Sequence, residues 1–316
     1  MRRAKHGYTH SEKMNMPQKL GFNSERRALL SSMLLGITLA AVGIAVGVLT
    51  KSQIILFDGF YTFLGIGLSA LAIRVSKLVD SGPTSRYPFG REALTPMIIG
   101  VEAVALLATC LYASANAVLS ILAGGEPVPG VYADLYATLA VILPLALWGA
   151  LRSLSRRSEL VHAETIQWLA GAVLGLGMLA AFTLASSLTH SHLAYLAPYI
   201  DPSLVIIASI IFLFPPLAML RSTFLELVEG RPPAPMRALA VTATEMVKQT
   251  FGLGVYHLRT TKLGRKLYVE VDFVVEPSWT VRDSDLVRQA LNAALTDSDL
   301  DAWLTVEFTS DPSWGT

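Results

Sequence analysis

Apolar residues run in long unbroken blocks over the first two thirds of the chain, then give way to alternating and stripe patterns. Six blocks fall at about 28–50, 52–76, 94–122, 132–152, 163–187 and 195–220. Each approaches the roughly 20 residues that cross a bilayer as a helix. They predict an α-helical membrane protein with six transmembrane helices. Lys51 separates the first two blocks, and a polar loop containing YPFGRE precedes the third. GGEPVPG, RSLSRRSE and THSH supply the remaining breaks.

The pattern changes at ELVEGRPPAPMR, where Pro232, Pro233 and Pro235 are expected to end the last span. Residues 236–250 read as a helix and 254–260 as a strand. Over 267–275 the chain alternates: Leu267, Val269, Val271 and Phe273 on one face, Tyr268, Glu270 and Asp272 on the other. That period marks a half-buried strand. Residues 281–296 form a second helix, with Thr280 and Asp283 spaced as a capping box and a stripe of Val287, Leu291, Ala294 and Leu295. A last strand is expected at 305–310. The small α+β domain therefore has the order αββαβ, a ferredoxin-like arrangement. About 80 residues bury only one modest core, so self-association is expected to steady it.

Composition agrees with a membrane protein: 53% hydrophobic, 16% charged, mean hydropathy +0.50. The net charge of +1 conceals an asymmetry. Arg74, Lys77, Arg86, Arg91, Arg152, Arg156 and Arg157 lie in the second and fourth loops, whereas the odd loops carry only Lys51. The positive-inside rule then puts both termini in the cytoplasm. The first 27 residues are polar and basic, with no apolar core of signal-peptide length. His6 and His10 in this tail read as solvated. The single Cys110 excludes a disulfide framework and reads as packing. No HExxH or G-x-S-x-G motif appears, which argues against an enzyme. The basic residues follow topology and form no aromatic-interleaved patch, which argues against nucleic-acid binding.

One charge stands inside the second block, in IILFDGFYTFLGIGLSALAIRVSK. Asp58 is a carboxylate in hydrocarbon, costing about 2.5–3.5 kcal/mol on insertion scales, and such a residue is a functional-site hypothesis by default. Glu102 lies about two turns into the third span, and Glu164 opens the fifth. Either can serve as an auxiliary or proton-carrying group; for Glu102 a structural role weighs equally, whereas Glu164 reads first as a headgroup-level partner of Arg156 and Arg157. Tyr61 reads as interhelical packing, His162 as interfacial, and His190 and His192 as part of a polar loop.

LFDGFYTFLGIGLSALAIRVS, YPFGRE, SELVHAETIQWLAGAVLG, YIDPSLVIIASIIFLFPPLAML and HLRTTKLGRKLYVEVDF, in this order, resemble the second helix, following loop, fifth helix, sixth helix and soluble hairpin of the cation diffusion facilitator family. The resemblance implies a homodimeric exporter that exchanges a divalent metal for protons by alternating access. Together with the residue pattern, this divides the chain into an expected basic cytoplasmic tail over 1–27, a six-helix transport domain over 28–227 and a cytoplasmic dimerisation domain over 228–316. It also implies a multi-pass protein of the cell's inner membrane with a transported cation and no tightly bound cofactor.

In that family, helices two and five each supply two ligands at i and i+4, a spacing that puts both on one helix face. The corresponding positions here are Asp58 and Thr62, then Gln167 and Gly171. One carboxylate, one hydroxyl and one amide remain, and Gly171 offers no side chain. An all-oxygen set suits a hard ion such as Mn²⁺, Mg²⁺ or Fe²⁺ better than Zn²⁺. A single carboxylate also leaves open a monovalent cation, and the missing ligands leave open a scaffold that has lost transport. The loop after the second helix contains Asp80 and no histidine. In the soluble domain, His257, Asp272 and Asp311 fall near the family's metal positions, with Thr309 where a histidine is expected.

Overall fold

The structure is a computed structural model that describes residues 22–155, 159–296 and 301–314. The side chains of His6, His10, His162 and Glu164 lie outside the described residues. Six helices form the first unit: α1 (Phe22–Thr50), α2 (Gln53–Val79), α3 (Leu94–Leu122), α4 (Val131–Ser155), α5 (Glu159–Leu188) and α6 (Ile200–Leu227). A 3₁₀ turn over Ala194–Tyr199 leads into α6. All six helices are long and apolar enough to cross a membrane. Their outer faces carry exposed Leu49, Leu111, Leu122 and Phe214, the surface a helix presents to lipid.

The helices pack chiefly as three pairs: α1 with α2, α4 with α5, and α3 with α6. Glycines bring α1 and α2 close. A Cβ at Gly59 would lie 2.8 Å from the backbone nitrogen of Ile44, and one at Gly47 would lie 2.8 Å from that of Leu56. Small residues at such crossings let backbones approach in lipid. The buried centre of this unit contains Ile54, Ile55, Phe57, Cys110, Tyr136, Met178 and Phe182. Cys110 is packing, as its position in an apolar run implied.

α6 continues past the expected stop at 220, with Pro215 and Pro216 inside it. It ends at Leu227 because Glu229 turns left-handed (φ 55) and the Gly230 N–H bonds back to the Leu225 carbonyl. Pro232 and Pro233 follow this stop and do not cause it.

The second unit contains α7 (Ala234–Phe251), β1 (Tyr256–Leu263), β2 (Lys266–Val274), α8 (Val281–Thr296) and β3 (Ala302–Thr309). β2 is central, antiparallel to β1 and parallel to β3. β1 begins and ends later than expected, and β3 begins earlier, because pairing with β2 sets both registers. Leu267, Val269, Val271 and Phe273 face the core against Val287, Leu291 and Leu295 of α8. The capping box is present: the Thr280 N–H donates to Asp283 Oδ2 at 3.1 Å, and the Asp283 N–H to Thr280 Oγ1 at 3.2 Å. These bonds hold the Asp283 carboxyl below its ordinary range.

The β1–β2 hairpin plugs the soluble unit into the end of the helical unit. Lys262 Nζ lies 2.5 Å from Glu226 Oε1 on α6. Lys266 Nζ lies 3.7 Å from Glu92 Oε1 in the α2–α3 loop, and Arg265 pairs with Asp80. Phe89 meets Trp303 edge to face at 6.1 Å. Three cations of one hairpin thus meet three acids of the helical unit.

Candidate functional site

The start of α2 is anchored before the site begins. Lys51 (φ 57) and Ser52 turn the chain out of α1. Ser52 caps α2 by accepting from the Ile55 N–H, while its hydroxyl donates to Asp201 Oδ1 at 2.7 Å. The Gln53 N–H donates to Asp201 Oδ2 at 2.7 Å. Asp201 is 3% exposed, and its carboxyl accepts from donors at the start of α2 that the helix itself leaves without partners. Gln53 Nε2 reaches Glu126 Oε1 at 3.0 Å, and Ser120 Oγ donates to the same oxygen at 2.9 Å. α2, α3 and α6 are therefore fixed together at the end far from the soluble domain.

Asp58 follows within the second turn of α2. At 1.5 Å per residue, about 30 Å of helix separates it from the soluble-domain end of α2. It is half-buried. Its Oδ2 accepts a hydrogen bond of 2.8 Å from the phenolic hydroxyl of Tyr136 on α4. Tyr136 is 1% exposed and belongs to the packed centre of the bundle. Its hydroxyl sits against α1, where a Cβ on Gly43 would lie only 2.5 Å from it. Three helices thus converge on the carboxylate.

The other positions implied by family resemblance are more dispersed. Thr62 is half-buried one turn beyond Asp58. Gln167 is exposed, while the next residue, Trp168, donates from Nε1 to Ser32 Oγ on α1 at 2.7 Å. A Cβ at Gly171 meets nothing within 4 Å. No hydrogen bond joins Asp58 or Thr62 to Gln167 among the described residues. α5 packs mainly on α4, so the partner that touches Asp58 comes from α4.

Tyr61 packs as expected, its ring 5.0 Å from Phe212 and 5.7 Å from Phe57, its hydroxyl 3.5 Å from the Phe212 carbonyl. Glu102 is half-buried on α3 within electrostatic reach of Tyr61. His190 bonds locally to Thr189 and Ser186, and His192 is exposed. A cavity of ≈ 490 Å³ lies between α2 and α3, lined by Phe57, Phe60, Leu64 and Tyr112 among others. Its walls are mostly apolar and Asp58 is not among them.

In the soluble unit, His257 and Asp272 are cross-strand neighbours on β1 and β2. Asp272 is 3% exposed, and its Oδ2 is taken by Arg259 Nη2 at 2.7 Å. The same guanidinium holds Glu270 at 2.6 Å. Asp311 lies apart, after β3, exposed and accepting from the Ser313 N–H at 2.9 Å, which keeps its carboxyl below the ordinary range. Among the described residues, no three His, Cys, Asp or Glu side chains cluster as a metal centre.

Sequence reasoning missed Tyr136, Asp201 and Glu126. Tyr136 is 78 positions from Asp58, and an aromatic in an apolar span gives no signal of its partner. Asp201 was visible as an acid at the start of the sixth span, but its role as a cap on another helix was not.

Six helices long and apolar enough to cross a membrane, with one half-buried carboxylate in the second, describe a polytopic membrane protein. The cation efflux transmembrane domain model matches residues 29–228, more than half of the chain, and the chain belongs to the cation diffusion facilitator family. It is a cation efflux transporter and not an enzyme. No curated protein matches the chain.

Proposed function

We propose that this transporter moves a divalent cation out of the cell in exchange for protons, with Asp58 as the charged group that meets the ion. The observation that carries the reading is the placement of Asp58: half-buried inside a membrane helix, on a face where α1, α2 and α4 converge. A carboxylate that holds either a proton or a cation couples the two flows. The side chains at the proposed positions, Asp58, Thr62 and Gln167, offer oxygen donors, which favours Mn²⁺, Mg²⁺ or Fe²⁺ over Zn²⁺. Gly171 leaves room for retained water on the ion. Glu102 and Glu164 are auxiliary proton carriers in this reading. The single carboxylate supports one alternative, a monovalent cation exchanged for a proton.

The loop charges support an orientation with both termini cytoplasmic in the inner membrane. A soluble unit of about 80 residues buries only one modest core, which supports a homodimer formed through it. Arg259 holds one oxygen of Asp272, and Asp311 lies apart after β3, so this reading assigns no metal to His257, Asp272 and Asp311.

Purified protein in sealed vesicles under an imposed pH gradient tests the reading. Uptake of Mn²⁺, Fe²⁺, Co²⁺, Zn²⁺ and Na⁺ is measured in parallel. Mn²⁺ or Fe²⁺ uptake that collapses with the gradient is expected. No ion moving above empty vesicles contradicts transport, and Zn²⁺ moving fastest overturns the hard-ion assignment.

A further inference from the structure

Resting on the reading of Asp58 above, we propose that Tyr136 of α4 belongs to the ion site, its phenolic oxygen acting as the neutral ligand beside the Asp58 carboxylate. The geometry carries the assignment. Tyr136 Oη is 2.8 Å from Asp58 Oδ2, so a cation seated on that carboxylate meets both oxygens at once. The hydroxyl proton points at the carboxylate, and the oxygen keeps lone pairs for a cation.

The hydroxyl is also held in place. Tyr136 is 1% exposed and its ring is clamped in the centre of the bundle, so it does not sample other rotamers freely. Gly43 leaves the space that Oη occupies, since a Cβ there would stand 2.5 Å from it. Tyr61, the other tyrosine nearby, is engaged with Phe212 on α6. The neighbours that family resemblance places on α5 give little: Gln167 is exposed and Gly171 has no side chain. Tyr136 thus supplies from α4 an oxygen that the sequence leaves missing on α5. A neutral phenolic oxygen beside one carboxylate is a donor set for a hard cation.

A packing role for the tyrosine and a ligand role differ in what they change. Tyr136→Phe keeps the ring and removes only the oxygen. Initial uptake rates are measured in vesicles against ion concentration for wild type, Tyr136→Phe, Gly43→Ala and Asp58→Asn. The probe is Mn²⁺, or whichever ion of the panel the wild type moves fastest. Thermal stability of each variant in detergent is measured alongside. Losing a hydrogen-bonding group at a charged site corresponds to about a tenfold change in affinity. The expected result is a KM raised about tenfold in Tyr136→Phe, with the maximal rate changed less than KM and thermal stability near wild type. Gly43→Ala, which pushes on the same oxygen, raises KM in the same direction and carries the test if the phenylalanine variant fails to fold. An unchanged KM in the folded variants while Asp58→Asn is inactive overturns the role of Tyr136 and leaves Asp58 standing. Asp58→Asn transporting like wild type, or a wild type that moves no ion, overturns both.

Discussion

Lys262 Nζ lies 2.5 Å from Glu226 Oε1, joining the first soluble strand to the last turn of α6. The other oxygen of the same carboxylate accepts the Gly264 N–H at 3.2 Å. Both side chains are largely shielded, at 21% and 23% exposure, whereas Arg265 and Asp80 are 56% and 54% exposed. Shielding decides which pair matters. Exposed pairs contribute about 0–1 kcal/mol, and removing one partner of a buried pair costs about 3–5 kcal/mol. Lys262→Ala is expected to loosen the docking by about 1–2 kcal/mol, between those limits, and Arg265→Ala by almost nothing. Limited proteolysis of the 228–234 segment and thermal unfolding in detergent read the difference. Equal effects of the two substitutions contradict this ranking.

Asp201 makes a second prediction. Its carboxylate receives both the Ser52 hydroxyl and the Gln53 N–H while almost fully buried. Asp201→Ala strands both donors, a loss of about 2–3 kcal/mol from one buried hydroxyl and one helix-end amide. Asp201→Asn keeps an acceptor oxygen and is expected to lose less. Thermal unfolding of the two variants in one detergent orders them, and an alanine variant as stable as the asparagine variant contradicts the capping role.

Two of the α5 glycines, Gly171 and Gly175, separate packing from chemistry. A Cβ on Gly175 collides with the Ala140 backbone carbonyl on α4, whereas one on Gly171 meets nothing. Gly175→Ala should therefore split the α4–α5 pair and lower the yield of folded protein, and Gly171→Ala should be silent for folding. Gly171→Asp fits the same space and puts a second carboxylate on the α5 face at the position family resemblance assigns to a ligand. It is expected to raise divalent affinity and favour divalent over monovalent ions in vesicle uptake. Unaltered ion preference in a well-folded Gly171→Asp protein argues that α5 does not face the ion.

What was legible in the sequence was whatever repeats locally. Six apolar blocks gave six helices, the alternation from Leu267 to Phe273 gave the buried face of β2, and Thr280 with Asp283 gave a real cap. The site was legible only as Asp58, because a lone charge in an apolar run is a local anomaly. Its partner was hidden. Tyr136 looks like any other membrane aromatic until the fold brings its hydroxyl to Asp58, and no period or spacing connects positions 78 residues apart. The end of α6 misled for a similar reason. Prolines at 232 and 233 were conspicuous, but a left-handed residue at Glu229 stops the helix first, and that conformation leaves no trace in composition.

Acid should unravel the start of α8 before the rest of the soluble unit. The Thr280 hydroxyl and amide hold the Asp283 carboxyl below its ordinary range. A group with a depressed folded value stabilises the fold above the ordinary carboxylate range and loses that contribution as pH falls through the folded value. Amide exchange over 281–286 is expected to accelerate as pH falls through that range, once the intrinsic pH dependence of exchange is removed. Asp283→Asn should show the faster exchange at neutral pH and converge with wild type in acid, where the carboxylate is lost in both. A variant whose protection follows the wild-type pH curve contradicts the cap.

The central claim is that Asp58 carries the ion, and its direct measurement is proton-coupled uptake by wild type and Asp58→Asn in matched vesicles. Asparagine keeps the shape and the hydrogen bond from Tyr136 while removing the charge. The account predicts ion uptake at background level in Asp58→Asn, with protein that is folded and incorporated as in wild type. Uptake by Asp58→Asn at the wild-type rate, driven by the same pH gradient, would contradict it.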